Sequence, residues 1–160
     1  VKALLLACLL LAAPGVRAQD APADPPLAPV RLGYAFDRPD ILLRQRIFGL
    51  AHGVHLLLSA CHDKNENADA AQQAYATWHE RQRETIGAVL TALAAHHFDA
   101  QAARAQWRDV ARTLGLRETV YPSLGAVSLQ EACATLPAAL VQERYDFASQ
   151  IDASHDDARR

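Results

Sequence analysis

The sequence predicts an all-α fold, a small antiparallel bundle of four to five helices closed by one disulfide. Three observations lead there. Every long segment carries apolar residues in steps of three and four, the period of one helical face. No run alternates apolar and polar residues as a half-buried strand does. Two cysteines, Cys61 and Cys133, each fall on a predicted apolar face.

The chain opens on Lys2, an apolar run from Ala3 to Ala13 and a small-residue site at Val16 and Ala18. This is the anatomy of a secretory signal peptide over 1–18. The run is about half the roughly twenty residues that a spanning helix needs, and no later segment approaches that length. A periplasmic or secreted location follows, with no membrane span after cleavage. Abundant Ala and Arg, scarce Lys and no Met suggest a GC-rich bacterial genome, hence the periplasm.

Cleavage after Ala18 removes Lys2 and Arg17 and leaves 14 basic against 18 acidic residues, a net charge of −4. Such a chain lacks the basic field that gathers nucleic acid or anionic lipid. Cleavage also removes Cys8, so Cys61 and Cys133 remain as an even pair in an oxidising compartment. One intramolecular bridge is the simplest outcome.

Residues 19–36 hold four of the eight prolines and little to bury, and are expected to form a disordered leader. The helical domain is expected over 37–150 and a polar, disordered tail over 151–160. Asp37, Pro39 and Asp40 mark the start of the first helix. Leu43, Ile47, Leu50, Val54, Leu57 and Cys61 form its seam. A polar loop over 62–69 hands over to the second helix near Ala68, whose face carries Tyr75, Trp78, Ile86, Val89, Leu93 and His97, interrupted by Gln82.

Asp99 is the expected cap of a third helix with Ala103, Trp107, Val110 and Leu114 on its core side. Gly115 and Leu116 supply a glycine stop. Residues 117–127 are expected to be a loop. Ser128 and Glu131 then form a capping box for a helix carrying Leu129, Cys133 and Leu136. Pro137 is expected to end it, with a fifth helix from Ala138 to Phe147.

Histidine is the first candidate for chemistry. His52 and His55 lie on one arc of the first helix and form half a metal site at best, to be completed by His79 or His97 with zinc or copper. His79-Glu80-Arg81-Gln82-Arg83 approaches the metalloprotease helix motif but has Arg83 where a second His is required. No nucleophile elbow, phosphate-cradling glycine loop or unpaired cysteine is present, so the sequence speaks for a protein without catalytic function and with no cofactor.

The second candidate is Arg104, Arg108 and Arg112, which step by four along the third helix and suit a carboxylate-rich partner. A non-catalytic binding or protein-interaction module in the periplasm is therefore the leading expectation. A metal-binding bundle is one alternative and an immunity-type inhibitor of an envelope-acting toxin is another. The order of a helix ending in Cys, a long aromatic helix and a late Cys helix resembles the layout of small helical immunity proteins, and no motif of theirs is matched.

Overall fold

A computed structural model describes residues 27–62 and 66–157. The predicted signal segment 1–18 and the first part of the leader lie outside the described residues, as do positions 63–65 of the first interhelical loop and the last three positions. Among the described residues all regular structure is helical and there is no strand. None of these helices is long and apolar enough to cross a membrane.

Helix α1 runs Pro39–His62 and α2 Ala68–Phe98, and the two pack antiparallel. The faces read from periodicity are the faces buried. Ile47, Val54 and Cys61 of α1 are buried, and Leu43, Leu50 and Leu57 pack against the core from its margin. Trp78, Ile86, Val89 and Leu93 of α2 are likewise buried. The buried face of α1 is wider than its predicted seam because it also takes in Phe48 and Ala51. Phe48 meets Trp107 from the third helix at 4.2 Å between ring centroids.

Asp99 does not start the third helix. It closes α2 with a left-handed φ of 49°, and a 3₁₀ segment, Asp99–Arg104, follows. Ala105 and Gln106 are extended, and only then does α3 begin, Trp107–Thr113. Asp109 starts it by accepting the Gln106 amide N–H at 2.9 Å. The glycine stop forms as read: the N–H of Leu116 donates to the carbonyl of Ala111 and that of Gly115 to Arg112, with Gly115 at φ 65°. One helical turn, α4 over Tyr121–Leu124, interrupts the segment expected to be loop.

Helix α5, Leu129–Ala139, is capped by the Ser128 hydroxyl, which accepts from the amide of Glu131. It runs through Pro137 rather than ending there. In the last turn the missing N–H removes a single ladder bond, and buried Leu136 and Leu140 hold the segment in place. Cys133 joins Cys61 in a disulfide that ties α5 to the end of α1, and both cysteines are fully buried.

The predicted fifth helix from Ala138 to Phe147 does not form. A 3₁₀ turn, Glu143–Tyr145, precedes α6, which begins at Phe147 and continues to Asp157, through most of the expected disordered tail. The reason lies on α2. Buried Gln82 turns its Oε1 to the amides of Phe147, at 3.0 Å, and Ala148, at 3.3 Å, satisfying the first free donors of α6. Trp78 Nε1–H donates to the carbonyl of Tyr145 just before them, and Ile151 packs on the core.

The leader is corrected in the same way over its described part. Residues 27–36 form no helix, yet they are fastened to the bundle. Gln45 accepts the Ala35 amide at 2.9 Å and donates to the Gly33 carbonyl. His97 accepts Val30 N–H on its own carbonyl at 2.7 Å. Gln45, Gln82 and His97 are each at most 1% exposed, and each is hydrogen-bonded, as burial of a polar group requires.

Two consequences are measurable. The disulfide closes a separation of 72 residues, which in the loop-entropy treatment restricts the unfolded chain by up to about 4 kcal/mol. Replacing both cysteines by serine should therefore lower unfolding stability by about 2–4 kcal/mol in urea, and an unchanged midpoint would contradict this. Gln82→Leu should strip protection from the amides of Phe147 and Ala148 in hydrogen exchange and lower stability by about 1–3 kcal/mol, the cost of leaving buried donors unpaired.

Candidate functional site

The side chains that meet outside the apolar core do so where α1, α2 and α3 come together. Trp107, the first residue of α3, lays its ring against Phe48 and against His55 at 4.9 Å. Its indole Nε1–H donates to His52 Nδ1 at 3.0 Å. His52 must then carry its proton on Nε2, which donates to the carbonyl of Arg117 at 2.7 Å. One imidazole thus links α1 to α3 and to the segment that follows the glycine stop.

His55 sits one turn further along, with Tyr75 edge-on at 5.6 Å and His79 at 6.1 Å. Tyr75 and His79 stack on one another at 5.4 Å. The Nε2 atom of His55 is buried and has no hydrogen-bond partner among the described residues. Loss of solvent, reinforced by His79 and then His52, pushes the His55 imidazole down to about 4. Its neutral form is the one that folds.

The four histidines singled out in the sequence therefore separate. His97 is fully buried at the far end of α2, about 27 Å along the axis from His79 at 1.5 Å per residue. There its Nδ1–H donates to the Arg31 carbonyl at 2.8 Å while Nε2 receives Gln45. It belongs to the attachment of the leader. His52 has both ring nitrogens engaged. His55 and His79 do face each other, but among the described residues no group of three or more His, Cys, Asp or Glu is placed to hold a metal ion.

The arginine stripe is also rearranged. Arg104 lies in the 3₁₀ segment, and extended Ala105 and Gln106 take it off the face that Arg108 and Arg112 share. Arg108 and Arg112 instead border a cleft of about 430 Å³ together with Arg117. Its walls are His52, Leu56, Trp107, Ala111 and Leu116, and Glu118 stands at its edge. Arg112 pairs with Asp109 at 3.6 Å. The guanidiniums of Arg108 and Arg117 have no carboxylate within ion-pair distance among the described residues.

Arg117 is the residue that sequence reasoning missed. The glycine stop at Gly115 was legible, and a turn of that kind sends the chain back beside the helix it ends. What periodicity does not contain is the hydrogen bond from His52, 65 residues earlier, that holds the Arg117 carbonyl against α1. Comparison with family models, with curated proteins and with solved structures finds no match. The cleft combines a rim of exposed arginines with a wall that is mostly apolar.

The depressed His55 titration has a direct consequence for stability. The unfolded imidazole titrates near 6.5 and the folded one near 4, so between these values the unfolded chain binds more protons. The contribution is fully present above pH 6.5 and is lost as pH falls toward 4. Urea midpoints taken across this window should fall more steeply for the native sequence than for His55→Phe. Parallel profiles would show that His55 is not the group responsible.

Proposed function

We propose that this chain is an exported, non-catalytic binding module, working in the periplasm or outside the cell, that takes a carboxylate-bearing partner in the cleft beside Trp107. The observation that carries this is the arginine rim. Arg108 and Arg117 border one concavity with their guanidiniums unmatched by any described carboxylate. The planar guanidinium fork suits a carboxylate, which it can receive through two parallel hydrogen bonds.

Rigidity supports the reading. The cleft floor belongs to α1 and α3, and the Trp107, His52 and Arg117 chain of hydrogen bonds holds its walls in register. A pre-formed site loses little freedom on binding, which favours recognition. Export is supported by the signal-like segment 1–18 and by a buried disulfide, a bond that persists in oxidising compartments.

Native mass spectrometry of the protein recovered from the envelope of an exporting host tests this reading. The wild type should retain a bound species that the Arg108→Glu, Arg117→Glu double variant has lost, with both proteins giving the same helical circular dichroism. Equal retention by the two, or none by either, would overturn the assignment of the cleft.

A further inference from the structure

The polar side-chain atoms of the cleft walls are already paired. The indole N–H of Trp107 is given to His52, and both ring nitrogens of His52 are engaged by Trp107 and Arg117. What these two residues present to the cavity is ring surface. Leu56, Ala111 and Leu116 complete the wall, and none of their side chains carries a hydrogen-bonding group. A ligand rich in hydroxyls would lose its water here and find no partner on the walls.

The rim has the opposite character, and its charge can be counted. Arg108, Arg112 and Arg117 stand against Asp109, which holds Arg112, and Glu118. Three guanidiniums facing two carboxylates leave one positive charge in excess. A single negative charge restores balance, whereas a dianion would leave the rim negative. The volume of about 430 Å³ lies within the range of small-molecule sites, roughly 300–1,000 Å³.

Resting on the binding-module reading, we infer that the cleft takes a small amphiphilic monoanion, an apolar chain or ring bearing one carboxylate. The apolar body lies along Trp107, Leu56 and Leu116, and the carboxylate is received by Arg108 and Arg117. Neither feature suffices alone. The wall without the rim would not distinguish an acid from an alcohol, and the rim without the wall would hold a small anion no better than any exposed arginine pair.

Trp107 supplies the readout, because its indole N–H is one of two in the chain and gives a resolved signal in nitrogen-correlated NMR. The oxidised chain is titrated with decanoate below its micellar concentration, and in parallel with decan-1-ol, acetate, decyl phosphate and a short glutamate-rich peptide. Decanoate should move the Trp107 signal saturably, and decanol and acetate should each bind about tenfold more weakly or less, the worth of one charge-assisted hydrogen bond or of the apolar contact. Arg108→Gln with Arg117→Gln should bring decanoate down to the level of decanol.

Equal affinity for decanoate and decanol, or for decanoate before and after the double substitution, overturns the inference. Decyl phosphate binding more tightly than decanoate at about pH 8, where the phosphate monoester is a dianion, overturns the monoanion. If the glutamate-rich peptide binds in an arginine-dependent way while decanoate does not, the amphiphile is wrong and the binding-module reading stands. If neither binds, both fall.

Discussion

The apolar face of α2 is the surface on which the rest of the molecule is laid. Over 31 residues it buries Trp78, Ile86, Val89 and Leu93, and α1, α3, α5 and α6 each pack against part of it. Two polar side chains interrupt that face, Gln82 and His97, and both are buried. A buried amide or imidazole is tolerated only when its hydrogen-bonding groups are met. Each interruption has therefore become the place where an otherwise weakly held segment is attached, α6 at Gln82 and residues 30–33 at His97 and Gln45.

The same requirement shapes the cleft. Trp107 is half-buried, and its indole N–H finds His52 rather than water. That bond dictates the imidazole tautomer, which in turn directs Nε2–H to the Arg117 carbonyl. The position of Arg117 on the rim thus goes with satisfying an indole, while Arg108 and Arg112 are placed by α3. Because these polar atoms are paired among themselves, the wall of the cleft is apolar in effect although histidine and tryptophan line it. In the proposed binding role, selectivity would rest with the guanidiniums of Arg108 and Arg117.

His55 marks the boundary between site and core. It touches Trp107, Tyr75 and His79 and has a buried nitrogen without a partner among the described residues. An imidazole so placed stays neutral, and it couples the stability of the α1 and α2 contact to acidity. Aromatic rings surround it, and among the described residues no group of three or more His, Cys, Asp or Glu is placed to hold a metal ion there.

What the sequence determined by itself is whatever arises within about two helical turns. The all-α class, the ends of α1 and α2 and their buried faces, the glycine stop after α3 and the serine cap of α5 all follow from periodicity and from bonds between residues three to five apart. The cysteine pairing was legible because, with Cys8 placed in the expected signal segment, only Cys61 and Cys133 are left to pair. The tertiary structure decided the rest. Helix α6 is capped by a side chain 65 residues away, the leader is fastened across similar distances, and two extended residues shift Arg104 off the face of Arg108 and Arg112. Spacing along one helix says which side chains share a face; it does not contain the hydrogen bonds between elements that choose which faces meet.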